Sequence, residues 1–195
     1  MKKIFSLLVS CLLASSAFAT DYTVDPDHST IGFKVRHLGI SSVLGKFGKV
    51  DGEFSFDPKN VAASKAKATI VASTIDTENE KRDKHLRGEE FFNVDKFPEI
   101  KFVSKEIKDI NGNEFKVVGD LTIHGVTKQI ELNSEFTGAT TDPWGNERSA
   151  FDAQAKIDRR DFGLTWNKVL EAGGVLVGDE VKIVLNIEGI KKKAA

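Results

Sequence analysis

Alternation of apolar with mostly polar side chains constrains this chain more than any other feature. Val181, Ile183, Leu185 and Ile187 are interleaved with Lys182, Val184 and Asn186, and Phe151, Ala153, Ala155 and Ile157 with Asp152, Gln154 and Lys156. A period of two puts every second side chain on one face of a strand, so each such strand has an apolar face and a wet one. Strand-like stretches fall at residues 30–37, 50–56, 66–75, 99–107, 114–123, 126–136, 150–158 and 180–189, separated by segments rich in Gly, Asp, Asn and Pro. Asn111-Gly112-Asn113 and His124-Gly125 are hairpin signals; a turn at the second puts Leu121 and Ile123 on one face with Val126, Ile130 and Leu132. The expected fold class is therefore mainly β: a single antiparallel β-barrel of about eight strands. Such a barrel must fill its inside with its own side chains or with a ligand.

One segment breaks the pattern. Residues 77–88 lack a β-branched run, Thr77 and Glu80 have capping-box spacing, and no strongly apolar residue appears before Leu86, with Phe91 and Phe92 following. This predicts one short polar helix, a flap resting on the sheet by its far end. Residues 168–178, with three glycines, read as loop.

Residues 1–19 read as a secretory signal. Lys2 and Lys3 are basic, residues 4–13 are apolar, and Ala17-Phe18-Ala19 is a small-x-small cleavage site. The apolar run is too short to serve as a spanning helix. A lipoprotein-type cut before Cys11 is the rival, but it leaves an apolar run of only about seven residues. Cleavage after Ala19 leaves one domain, residues 20–191, and removes the only cysteine, so disulfides, thiolate catalysis and cysteine metal sites go with it. A periplasmic location fits. Without Lys2 and Lys3, 26 cations face 29 acids, which gives no basic excess for nucleic acid or for an anionic membrane surface. Lys191-Lys192-Lys193 is the only run of like charge, at an end expected to fray.

Twelve of the 14 phenylalanines belong to the mature chain, large apolar groups that need no polar partner. Opposed to them is a set of small inward residues, Ala66, Ala68, Ala72, Ala153 and Ala155. A Phe-packed core and an open apolar cavity for a long aliphatic ligand are both compatible with this mixture. If the cavity is real, Phe at position 68 or 155 should block it.

Signs of catalysis are sparse. His28, His37, His85 and His124 show no zinc-protease spacing, and no metal site or cofactor is expected. Nucleophile elbows and phosphate-cradling glycine loops are missing. His37 continues the apolar face of Ile31, Phe33 and Val35, so it should point inward near a strand end, either as a core histidine or as a polar contact for a ligand head. Asp158-Arg159-Arg160-Asp161 reads as local charge pairing at a strand end.

Several segments together carry a resemblance. Tyr22-x-Val24-Asp25 followed by His28-Ser29-x-Ile31-x-Phe33-x-Val35-x-His37-x-Gly39, then Arg82-Asp83-Lys84-His85-Leu86, Phe91-Phe92-Asn93 and Phe97-Pro98, resemble the YceI family of periplasmic proteins. So do the stretch from Gly119 through His124-Gly125 to Lys128, Asp142-Pro143-Trp144-Gly145 and Arg160-Asp161-Phe162-Gly163. The resemblance covers nearly the whole mature chain in order. It implies a lipocalin-like barrel around a hydrophobic channel, a polyisoprenoid or other long-chain lipid as ligand, homodimers, and no shared catalytic residues. The channel positions it implies are Phe33, Val35, His37, Phe54, Ile70, Phe92, Phe102, Leu121, Phe136, Phe151, Ile157 and Trp166. Two other readings stay open: an enzyme acting on such a lipid through His37 or His85, and a packed barrel serving in a stress response.

Overall fold

Inward residues meet inward residues across the sheet, as the alternation demands. In the computed structural model, which describes residues 19–171 and 173–193, Phe151 pairs with Ile187, Ala153 with Leu185, Ala155 with Ile183 and Ile157 with Val181. A slip of one residue would turn all of these apolar groups outward, so burial itself fixes the register. Residues 1–18 of the proposed signal segment, Cys11 among them, lie outside the described residues.

The strands in chain order are β1 (Thr20–Val24), β2 (Thr30–His37), β3 (Ser41–Phe47), β4 (Val50–Phe56), β5 (Lys65–Val71), β6 (Ile75–Asp76), β7 (Glu99–Asn111), β8 (Glu114–Ile123), β9 (Val126–Thr141), β10 (Glu147–Asp158) and β11 (Val177–Lys191). Among the described residues, one helix, α1 (Glu80–Arg87), and three single 3-10 turns complete the fold. All pairings are antiparallel. β1-β4-β5-β7-β8-β9-β10-β11 runs in order, and β11 pairs back onto β1 through Val24–Gly189, closing a ring of eight. The rest of β11 pairs with β2, so the β2–β3 hairpin extends the wall at one end. Closure leaves no free edge in the ring.

The His124-Gly125 hairpin forms as read: Ile123 pairs with Val126, and both turn residues have positive φ, 52° and 76°. Other details differ from the sequence reading. β1 and β3 were not anticipated, and the strand expected over 66–75 ends at Val71, where Ala72–Thr74 forms a 3-10 turn that buries Ala72. The described residues of 168–178 are loop except for a Val169–Val175 bridge and the last two, which open β11. The C-terminal lysines do not fray: Lys191 pairs with Tyr22, and the Lys192 amide donates to the Asp21 carbonyl.

Helix α1 starts later than expected. Its cap is Asn79, whose side chain accepts from the Arg82 amide at 3.0 Å, and not Thr77. Thr77 is used otherwise. Its amide and hydroxyl donate to the buried Asp83 carboxylate (3.0 and 2.5 Å), while Arg82 donates to its hydroxyl and carbonyl (both 2.7 Å). Arg87 reaches the Ser73 and Ile75 carbonyls at 2.7 and 2.9 Å. Acids in the first turn and bases in the last suit the helix dipole. The helix is thus a wall bolted to residues 73–77 by charge-assisted bonds, not a flap held by its far end alone.

The outer wall carries opposed charges: Lys105–Asp120, Lys108–Glu131, Lys116–Asp109 and Lys156–Glu180. A barrel that spans a bilayer presents an apolar band there instead. Among the described residues, no helix is long and apolar enough to cross a membrane.

Candidate ligand-binding site

The inner faces of the ring enclose an apolar cavity of about 290 Å3. Side-chain size explains why it is hollow. Ala66, Ala68 and Ala153 line the wall where a larger residue would reach the axis. Three phenylalanines lie flat against inward-facing glycines. A Cβ on Gly45 would fall 2.3 Å from the Phe33 ring, one on Gly119 2.5 Å from Phe102, and one on Gly189 2.5 Å from Phe54. Glycine lets each ring lie along the wall, so Phe33 and Phe102 line the space without closing it and Phe54 runs into the floor.

One end of the cavity is sealed by aromatic rings. Phe56 packs on Phe136 and Phe151 (both 4.8 Å between centroids), Phe54 on Phe151 (5.2 Å) and Tyr22 on Phe54 (4.9 Å). These edge and tilted contacts form the floor. Outside the floor Arg148 gathers three carboxylates, Asp25 (2.7 Å), Asp142 (2.8 Å) and Glu188 (2.5 Å), and His28 Nδ1 lies 2.9 Å from Asp25. Asp25, His28 and Glu188 could in principle hold a cation, but the guanidinium already stands among these carboxylates as their counter-charge. Asn146 and Arg148 hold the Asp142 carboxyl well below the usual range. For Asp25, burial works against the charge, yet Arg148 and His28 together outweigh it and the pKa is lowered.

The other end opens into a vestibule of about 410 Å3. Phe33, Val35, Leu86, Phe91 and Val177 line both spaces, so they adjoin. Arg36, Lys81 and Arg82 supply three cations, His37 and His85 two imidazoles, and no carboxylate belongs to the lining. Trp166 stands here edge-on to His85 (4.8 Å) and packed on Phe91 (5.2 Å). His85 Nε2 also lies 2.6 Å from Glu90 Oε2.

Arg159 builds this end. Only 4% exposed, it donates to the carbonyls of Leu164, Trp166 (2.9 Å) and Gly178 (3.0 Å), and pairs with Asp179 at 3.0 Å. Burial pulls its pKa down while Asp179 and Asp158 support the charge. The sequence reading of residues 158–161 as local pairing holds for Arg160, which meets Asp158 at 2.6 Å, but not for Arg159. Its partners are mostly main-chain carbonyls on another element, so no side-chain pattern announces them.

Nine of the expected channel positions line the main cavity: Phe33, Val35, Phe54, Ile70, Phe92, Phe102, Leu121, Phe151 and Ile157. Phe33 and Val35 also reach the vestibule, which His37 and Trp166 line as well. Phe136 lines neither space; it backs the floor. Ala155 is likewise packed among buried side chains. His37 is half-buried at the end of β2, so it is not a core histidine. The vestibule cations, Phe91 and the glycines under the rings were not read from sequence. The glycines left a trace, since each stands at the inward parity of its strand.

A closed antiparallel barrel with an apolar interior and one polar mouth defines the class of small-molecule-binding barrels. The family follows from comparison. Residues 22–189 match the model of the YceI-like domain, and the chain belongs to that family. A UPF0312 protein of Yersinia pestis (strain Pestoides F) is 41% identical over 196 residues, 98% of each chain. The crystal structure of a Campylobacter jejuni YCEI protein is 34% identical with a TM-score of 0.69, covering 88% of this chain and 98% of its own. A polyisoprenoid binding domain from Saccharophagus degradans shares the fold at 15% identity, with a TM-score of 0.64 over 90% of this chain and 99% of its own.

Proposed function

We propose that this protein binds and carries one long-chain apolar or amphiphilic molecule in the periplasm: a polyisoprenoid, an isoprenoid-quinone-like lipid or a fatty-acid derivative. The tail occupies the barrel and the polar head rests in the vestibule. The observation that carries this reading is the pairing of an apolar hollow with a mouth whose lining carries cations and no carboxylate, Glu90 reaching it only through His85. Together the two spaces fall within the roughly 300–1,000 Å3 usual for small-molecule sites. Burial at ~25 cal/mol per Å2 of apolar surface gives tight binding with few hydrogen bonds, but one methylene changes affinity by only about 1–3 kcal/mol. The barrel therefore selects for a class of chain, and the vestibule for its head.

Export by the 1–19 segment with cleavage after Ala19, and assembly as a homodimer, belong to the same proposal. They rest on the signal-like sequence and on family membership. N-terminal sequencing of the exported protein and light scattering test them.

Organic extraction of the purified protein, followed by mass spectrometry, should release a long-chain molecule. Ala68→Phe puts a ring into the hollow from a position that lines it and should lower uptake of a labelled prenyl lipid at least tenfold with the fold intact. Protein that yields no such molecule and takes up no prenyl lipid overturns the proposal.

A further inference from the structure

The vestibule opens beside an unusual rim. Ile40 and Val169 are 82% and 84% exposed, with Leu38 and Val175 beside them in the chain fold. These are four of the nine large apolar side chains exposed among the described residues, and they come from two turns joined to each other. The Leu38 amide donates to the Leu176 carbonyl at 2.9 Å, the Leu176 amide donates to the Lys168 carbonyl at 2.9 Å, and Val169 bridges to Val175. The rim adjoins the mouth, because His37 and Leu176, immediate neighbours of these residues, line the vestibule.

Leu38 is held at φ 55°, a left-handed conformation that bulky side chains rarely adopt. A polar residue or glycine would meet the turn's needs at lower cost, so strain is spent on displaying a leucine at the rim. The mouth that these tips adjoin is lined by Arg36 and Lys81, which form no ion pair among the described residues. The 168–176 loop also holds one exposed residue of each sign, Lys168 and Glu171. Exposed apolar tips next to a mouth lined by Arg36 and Lys81 match the chemistry of a phospholipid surface, with acyl chains beneath anionic headgroups.

We infer that this rim seats the barrel mouth-down on the surface of an anionic phospholipid bilayer, so that a lipid passes between membrane and cavity without crossing water. The slight net negative charge of the chain is spread elsewhere than the vestibule lining, which carries Arg36, Lys81 and Arg82 and no carboxylate. The inference rests on the carrier reading, and its test separates the two.

Vesicles of phosphatidylglycerol and phosphatidylethanolamine should co-sediment with the protein, and phosphatidylcholine vesicles far less. The double variant Ile40→Asp, Val169→Asp alters no residue that lines either space. It should lose vesicle binding at least tenfold while taking up a dansyl-labelled polyprenol from detergent micelles as the parent does. Undiminished sedimentation of the double variant overturns the inference. So does an equal loss with Trp144→Asp, an exposed residue in the β9–β10 turn at the sealed end. Conversion of a parental dimer to monomer without any vesicle binding by the parent would assign the rim to a second copy of the chain, and also overturns it. Failure of both proteins to take up polyprenol from micelles counts against carriage alone; the vesicle arms still decide the docking face.

Discussion

The two ends of the barrel are built from the same alternating strands and end in opposite ways. At the floor, Phe54, Phe56, Phe136 and Phe151 interlock and Tyr22 stacks behind them; beyond lies an arginine that carboxylates surround. At the mouth, the Phe33 ring lies against Gly45, a buried arginine binds carbonyls, and Arg36 and Lys81 line open space. Inward parity decides only which residues face the axis. Whether they meet there depends on side-chain volume and on what stands opposite, residue by residue. A plug and a hollow are thus two outcomes of one strand pattern.

The largest test of this contrast is Arg159→Met. Arg159 joins the 3-10 turn at residues 159–162 to the start of β11, and its removal leaves the Leu164, Trp166 and Gly178 carbonyls short of a donor and Asp179 without its buried partner. Asp179 keeps Arg160 at 3.2 Å, but each buried carbonyl left without its donor costs about 1–3 kcal/mol, so the loss sums to several kcal/mol. Thermal unfolding should fall by roughly 6–20 °C for a chain of this size. Hydrogen exchange should rise at residues 159–178 and stay unchanged at the floor. Uniform exchange across the barrel would mean that the two ends are not separately secured.

Gly119→Ala and Ala155→Phe sharpen the contrast from the inside. The added methyl in the first falls 2.5 Å from the Phe102 ring and 2.7 Å from the Val103 carbonyl, so the ring must swing toward the axis. Overpacking of this kind costs about 1–3 kcal/mol, and ligand uptake should drop with it. Ala155→Phe enters a closed cluster with Phe115 and Ile107. Its cost should appear as lost stability of similar size with far less effect on uptake per kcal/mol. The opposite order would place the hollow elsewhere.

These particular residues also mark how far the sequence could be read. Strand parity, the closed barrel and the His124-Gly125 turn were legible because each is a local pattern with one physical meaning. β3 was hidden: of its inward residues Val43, Gly45 and Phe47 the middle one is glycine, which erases the alternation that would have marked it. β1 offered only Tyr22 and Val24 as inward groups, too few to show a period. Which positions line the hollow was mostly legible for the same reason as the strands. Phe136 was the exception, because its parity is right but its ring is spent on the floor. Arg159 and the cationic mouth depend on distant segments meeting, which no spacing in the chain encodes.

The smallest effect should separate the ends by pH. Asp142 and Asp25 both have lowered pKa values in the folded protein, against about 3.9 for an unfolded aspartate. Each therefore adds stability that is fully present above about pH 5 and is lost as pH falls through 4 toward the folded value. Asp158, held at about 2 by Arg160, behaves in the same way near the mouth, but it is paired at the surface, where screening leaves such bonds weak. Acid should then loosen the sealed end first. Chemical denaturation of Asp142→Asn between pH 6 and pH 3 should give a flatter stability curve than the parent, with the two converging at the acid limit, while Asp158→Asn runs nearly parallel to the parent. Parallel curves for both variants would show that the arginine cluster holds the floor through packing, and that its charges add little.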